Sequence, residues 1–388
     1  MSDRGEPQIT RCTAWVLALG FVLLLLVPMI WQAIKTPGKE WLELARLFWD
    51  GIPKAEELAA FEATLARESA TNIRARRLVS EVLLPLGQSS GDVIVGRGGF
   101  LFYRNDIRLA SSPGYAPQPE MKPHSALERS FVTIAHLDAE LKARGIHLIV
   151  APIPPGPTIY PDRVWRGYPR SAGPAWPAPV PAWIARLRAA GVDAIDLAPG
   201  LFAAREKGEV WFPQDTHWSS LGFDTALSEI ADHARPHLPA RPPLGYRRDW
   251  SPEPPLGAIF TLTHLPSRWS RWPGAHATRP GFRLYEGDQP APPGDDEASV
   301  LLVGDSYLDL FPQDNATRGP GAALAYHLGQ PVQLRAKNGA TPLDVLRDLA
   351  AHPERLRGKK VVVWLFAGRF LLPENGVAFW WLTPLGSR

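Results

Sequence analysis

The run Val300-Leu301-Leu302-Val303 constrains the fold more than any other stretch of this chain. Four consecutive apolar, mostly branched residues make a short strand buried on both faces, as a central strand of a parallel sheet must be. Residues 146–151, 192–197, 331–335 and 360–364 read as further strands. Between and around them, 127–144, 183–190, 221–234 and 342–351 carry helical periodicity. Strands alternating with helices imply an α/β domain with a mostly parallel sheet and helices on both faces.

Chemistry is expected where the first of these strands stops. Gly304 is read as permitting a tight turn, and Ser306 then stands at the carboxyl end of a strand, where open α/β sheets place their ligands. A serine hydroxyl is a poor nucleophile until a base takes its proton, and the base needs a third group to fix its tautomer. Phe212-Pro213-Gln214-Asp215-Thr216-His217-Trp218-Ser219 supplies both. In extended chain, residues two apart face the same side, so Asp215 can orient His217. Taken singly, His217 reads equally well as a local packing residue before a helix starting near Ser219, and Asp215 as a turn residue. Together with Ser306 they specify a nucleophile, a general base and acid, and its orienter. The oxyanion would be met by the Ser306 N–H and a second donor. Asn338, after the strand 331–335, is the candidate, and a plain turn role suits it as well.

Gly304-Asp305-Ser306 after a strand, with Asp215-x-His217-Trp218 earlier in the chain, resembles the SGNH-hydrolase-like domain of the alginate O-acetyltransferase AlgJ/AlgX family. Ordinary SGNH hydrolases place the serine block first, and this family has the permuted order seen here. Gly98-Gly99-Phe100-Leu101-Phe102-Tyr103 is similar to the family's entry motif, and Thr158-Ile159-Tyr160-Pro161-Asp162 to its Ile-Tyr-Pro segment. The likeness runs from about Val93 to Leu371 and implies a permuted SGNH/flavodoxin-like fold. It departs at Pro154-Pro155-Gly156-Pro157, where a Lys or Arg is expected, and at Leu365, where the family usually has Glu. By resemblance, Arg369 is a ligand-contact candidate. The resemblance also implies a polysaccharide substrate and a multipass membrane O-acyltransferase that hands acetyl groups outward.

The ends and interruptions set the domain plan. Ala14 to Ile30 is an unbroken apolar run, long enough for one transmembrane helix and lacking a small-x-small cleavage pattern at its end. Residues 1–34 therefore read as tail and anchor, 35–90 as a helical stem, and 91–388 as the catalytic domain. Placement of that domain on the periplasmic or exterior side of the inner membrane rests on the resemblance. Residues 237–293 form a Pro-rich insertion, too long for a simple connection, read as surrounding the active site. Trp269 and Trp272 within it suit a sugar groove by stacking, or else pack beneath the loop. Trp218 beside the base and Tyr307 beside the nucleophile are nearer candidates for holding an acceptor.

Other function classes fall away. A net charge of +3 over 388 residues, without basic runs, argues against nucleic acid. There is no Walker motif or dinucleotide fingerprint, so no cofactor is expected. His233-x-x-x-His237 has zinc-like spacing, but Pro236 interrupts the helix and no third ligand is evident, so no metal is expected either. What remains is an O-acetyltransferase working through an acyl-serine. The alternatives are an O-acetyl esterase with the same triad, or a non-catalytic glycan-binding or scaffold subunit.

Overall fold

The computed structural model describes residues 10–35, 46, 49, 51–68, 70–83, 86–88, 92–111, 126–253, 259, 279–291, 294, 296–311, 315–371, 380 and 385. They fall into two compact units, one within residues 1–86 and the other from residue 87 onward. The first holds α1 (Arg11–Lys35), α2 (Ala55–Glu68) and α3 (Ala70–Leu83). The guanidinium of Arg74 stacks on Trp31, 4.4 Å from the ring centre. With 25 residues α1 is about 37 Å long, and Trp15, Leu19, Leu24 and Ile34 on it are exposed. Among the described residues, no helix is long and apolar enough to cross a membrane.

The second unit begins with a hairpin of β1 (Val93–Val95) and β2 (Leu101–Tyr103), whose turn uses Gly98 and Gly99 at φ 68° and 83°. Positive φ is the conformation that glycine, lacking a Cβ, adopts without steric cost. Then follow α4 (Arg104–Ser111), α5 (Ala126–Lys142), β3 (His147–Ile153), α6 (Pro179–Ala189), β4 (Asp193–Ala194), α7 (Ala198–Ala204) and α8 (Ser220–Ala234). After β5 (Tyr246–Glu253), β6 (Arg279–Glu286) and β7 (Gln289–Pro290) come β8 (Val300–Gly304), α9 (Pro320–Leu328), β9 (Val332–Ala336), α10 (Pro342–Ala351) and β10 (Val361–Ala367).

The main sheet has the order β4-β3-β10-β8-β9, with every neighbouring pair parallel. Alternation along its strands divides the interior in two. Ile149, Ile153, Val300, Leu302, Val363 and Leu365 pack with α7, α8 and α9. Leu148, Val150, Leu301, Val303, Val362 and Trp364 pack with α5, α6 and α10. Because both faces are covered, β8 and β10 are apolar throughout and buried at every position.

Two expectations about extent change. The strand expected over 192–197 is only the two residues of β4, because after Ala194 the chain turns toward α7. The Pro-rich insertion contains regular structure: β5, β6 and β7 form an antiparallel sheet, with Tyr246 opposite Glu286 and Glu253 opposite Arg279. Phe282 anchors it in the core, edge-on to Phe223 of α8 and Tyr326 of α9. Arg248 reaches Asp224 at 2.9 Å, and the same carboxylate meets His327 Nε2 at 2.8 Å. This part of the insertion braces two helices. Trp269 and Trp272 lie outside the described residues.

The reason for glycine at 304 also changes. Its φ is not positive, so no tight turn demands it. A Cβ there would lie 2.4 Å from the Leu365 carbonyl oxygen of β10 and 2.7 Å from Leu308 Cδ1. Close approach to the neighbouring strand is what excludes a side chain. Gly304→Ala is therefore expected to destabilise the protein by about 1–3 kcal/mol, the usual cost of overpacking. The check is the urea midpoint at unchanged m-value; an unmoved midpoint would mean that β10 yields.

Candidate active site

Three of the expected residues converge at the carboxyl end of the sheet. Ser306 stands in the turn after β8, and its Oγ lies 2.9 Å from His217 Nε2. On the far side of the ring, His217 Nδ1 is 2.5 Å from Asp215 Oδ1. The Asp215 side chain is 2% exposed and that of His217 15%. A buried carboxylate against Nδ1 places the ring proton there, so Nε2 is left to accept the serine proton. The geometry is that of a nucleophile, a base and its orienter.

The Asp-x-His segment is not extended, as the sequence reading assumed. An antiparallel bridge between Trp211 and Trp218 pinches it into a closed loop, with the Phe212 N–H donating to the His217 carbonyl and the Asp215 N–H to the Phe212 carbonyl. Asp215 Oδ1 accepts the backbone N–H of His217 at 3.0 Å as well as the ring proton. Orientation thus comes from a turn folded back on its own carboxylate. The helix α8 starts directly behind it, capped by Ser219, whose hydroxyl accepts the Gly222 N–H.

The Thr216 carbonyl oxygen fixes this loop against the nucleophile turn. It accepts Tyr307 Oη–H at 2.5 Å and Trp211 Nε1–H at 3.1 Å. Trp218 Nε1–H donates to the Tyr307 carbonyl at 2.9 Å. Trp218 and Tyr307 are 0% and 1% exposed, which corrects their reading as acceptor-holding side chains: they join the two loops from inside. Burial pushes the Tyr307 phenol far above its ordinary value, so it stays a donor.

Asp305 holds the serine turn itself. Its two carboxyl oxygens accept the N–H of Tyr307 at 3.0 Å and of Ala367, at the end of β10, at 2.8 Å. Burial raises its pKa against the pull of those two bonds. Arg369 lies just past β10, with Nη2 donating to Tyr307 Oη at 3.1 Å and Nε 3.0 Å from Asp106 Oδ1. Its guanidinium also faces the Tyr103 ring at 5.5 Å. Asp106, in the first turn of α4, is buried, and that burial raises its carboxyl despite Arg369. Sequence reasoning missed it, because an acid in a helix's first turn is ordinary dipole chemistry.

The remaining expected residues lie apart from the reacting atoms. Asn338 is exposed in the turn after β9, and among the described residues no hydrogen bond joins it to Ser306, His217 or Asp215. Leu365 is fully buried in β10, a place where no carboxylate could stand unpaired. The segment 154–162 is also interior. Tyr160 Oη accepts the Val210 N–H at 2.9 Å, and burial pushes its phenol up to about 12. Arg205 clamps the same segment through Asp162 at 2.6 Å and the Ile159 carbonyl at 3.0 Å. This segment supports the floor on which the Asp215–His217 loop rests.

Comparison with known proteins bears on the family and the fold. The family model described as SGNH hydrolase-like domain, acetyltransferase AlgX, matches residues 93–368. The probable alginate O-acetylase AlgJ of Pseudomonas aeruginosa is 27% identical over 298 residues, spanning 72% of this chain and 70% of that protein. Its Pseudomonas putida counterpart is 24% identical over 348 residues, 84% of each. The solved O-acetyltransferase domain of Pseudomonas putida AlgJ superposes with a TM-score of 0.56 at 24% identity, covering 72% of this chain and 91% of that one. At that identity the superposition establishes the shared fold.

Tyr307→Phe tests the link between the two loops. It removes one donor to the Thr216 carbonyl and the acceptor for Arg369, at a cost of about 1–3 kcal/mol. Loss of alignment worth about 1.4 kcal/mol lowers kcat roughly tenfold. Urea denaturation and turnover of an acetyl-ester surrogate check the two effects; an unchanged kcat would separate Tyr307 from the alignment of Ser306.

Proposed function

The chain belongs to the family of SGNH hydrolase-like domains of the acetyltransferase AlgX, and from that membership we propose that it is an O-acetyltransferase acting on a cell-surface or exported polysaccharide. The observation that carries the mechanistic part is the continuous relay from Ser306 Oγ through His217 to Asp215, at 2.9 and 2.5 Å. Ser306 Oγ attacks the carbonyl carbon of an acetyl ester while His217 Nε2 takes its proton, and Asp215 holds the resulting imidazolium. The Ser306 N–H, which makes no hydrogen bond among the described residues, is placed to receive the developing oxyanion. Collapse expels the donor's alcohol, protonated by His217, and leaves acetyl-Ser306. A sugar hydroxyl then attacks the acyl group, giving its proton to His217, and collapse breaks the bond to Ser306 Oγ, which takes that proton back as the acetylated glycan leaves.

The donor in this scheme is a membrane O-acyltransferase, as the family resemblance implies, and the catalytic domain faces the periplasm or exterior. Attachment is through α1, whose support is the apolar run Ala14 to Ile30 and the exposure of its apolar side chains. Removing residues 1–34 should move the protein from the membrane fraction to the soluble one. If the shortened chain still sediments with membranes, or the full chain does not, α1 is not the anchor.

An esterase uses the same triad with water in place of the sugar hydroxyl. The burial of Trp218 and Tyr307 favours this second reading, because it withdraws two side chains that would have held an acceptor. Given an acetyl-ester donor and an oligosaccharide acceptor, the transferase yields acetylated sugar. Ser306→Ala or His217→Ala lowers turnover by several orders of magnitude, because members of such a unit act together. Mass spectrometry decides: acetate alone, with acetylated glycan stripped, establishes the esterase, and turnover retained by Ser306→Ala removes the triad.

A further inference from the structure

At the opposite end of the main sheet from Ser306, three elements bring imidazoles around one carboxylate. His147 opens β3, and its Nε2 is 3.0 Å from Asp193 Oδ2 at the start of β4. His233, in the last turn of α8, places Nδ1 2.8 Å from the other oxygen, Asp193 Oδ1. His237, in the single 3-10 turn that follows, stacks on His147 with ring centres 3.4 Å apart and planes 11° from parallel. The zinc-like pair noticed in the sequence is thus divided. Pro236 does prevent the two imidazoles from sharing a helical face, but the missing ligands come from strands far away in the chain.

We propose that His147, Asp193 and His237 bind a divalent transition-metal ion of the Zn2+ class, with His233 orienting the carboxylate. One ligand atom from each of the three lies within 4.8 Å of the others. Ligand atoms around a tetrahedral ion with bonds near 2.1 Å stand about 3.4 Å apart, so closure needs at most about 1.4 Å of movement. The ring that moves is His237. Stacked imidazoles point their lone pairs along parallel planes, so one must turn before both can meet an ion, and His237 is exposed on a single turn of helix. Two imidazoles and one carboxylate select a borderline ion over Mg2+ or Ca2+, which prefer oxygen ligands alone. The His233 contact to Asp193 Oδ1 is the outer hydrogen bond that ligating carboxylates carry.

The site does not take part in acyl transfer. His147 pairs with Val361, which pairs with Val300, and Ser306 stands six residues beyond Val300, about 20 Å along the strand direction. An ion there ties the first residue of β3, the edge strand β4 and the end of α8 together, and stabilises the folded state by mass action.

The test uses the full chain, stripped of metal by chelator and titrated calorimetrically with Zn2+, with Mg2+ as the control. One Zn2+ per chain should bind, raise the unfolding temperature and shift the His147 and His237 ring proton resonances together as the stack opens. The double variant His147→Gln/His237→Gln should weaken binding at least about tenfold, His233→Gln about tenfold, and Ser306→Ala not at all. Should the double variant fail to fold, His237→Gln alone, on the surface, carries the test. Failure of the wild type to bind Zn2+, or equal binding by wild type and His237→Gln, overturns the proposal and leaves the cluster a set of ion pairs.

Discussion

The catalytic end of this protein depends on how closely β8 can lie against β10. Gly304 brings its Cα to where a Cβ would meet the Leu365 carbonyl. One residue later, the Asp305 carboxyl takes the N–H of Ala367 on that same strand and the N–H of Tyr307 in its own turn. A strand-end serine on an untethered turn would sample many positions, and a base at fixed distance would be wasted on most of them. Two backbone donors satisfied by one buried side chain leave the turn a single arrangement. Burial raises the pKa of this carboxyl, while the two backbone hydrogen bonds it accepts pull the other way.

Precision then passes from the strand to the loop opposite through main-chain atoms. The Thr216 carbonyl receives a phenol from the nucleophile turn and an indole from the loop's own stem, and the Tyr307 carbonyl receives the indole of Trp218. Carbonyl oxygens are indifferent to the identity of the residue that bears them. The anchoring donors, Tyr307, Trp211 and Trp218, are each at most 1% exposed. Arg369 and Asp106 extend the same system outward to α4, so the first helix after the entry hairpin has a stake in the position of Tyr307.

Much of this was legible in the sequence, for identifiable reasons. β3, β8 and β10 announced themselves because strands covered on both faces leave uninterrupted apolar runs. The convergence of Ser306, His217 and Asp215 was legible because few residue types suit a hydrogen-bonded serine, imidazole and carboxylate, and their chain order pointed to the resemblance. The sheet of β5, β6 and β7 was not legible: Tyr246-Arg247-Arg248-Asp249-Trp250-Ser251-Pro252-Glu253 has one inward anchor system and otherwise faces outward, so no period of two emerges. Trp218 and Tyr307 were misread because an aromatic beside a catalytic residue looks the same in sequence whether it faces substrate or core. The His147, Asp193, His233 and His237 cluster was hidden because its members come from four elements that only the fold brings together.

The loop that carries Asp215 and His217 closes upon itself: its carboxylate binds both the ring and the backbone of the same histidine, and the Trp211–Trp218 bridge shuts its neck. It owes nothing internal to the serine, which arrives from a strand 89 positions away in the chain. Such a loop behaves as a portable cassette. Exchanging the order of the two motifs along the chain would leave each of them intact, so the physics of the site has no means of detecting which comes first.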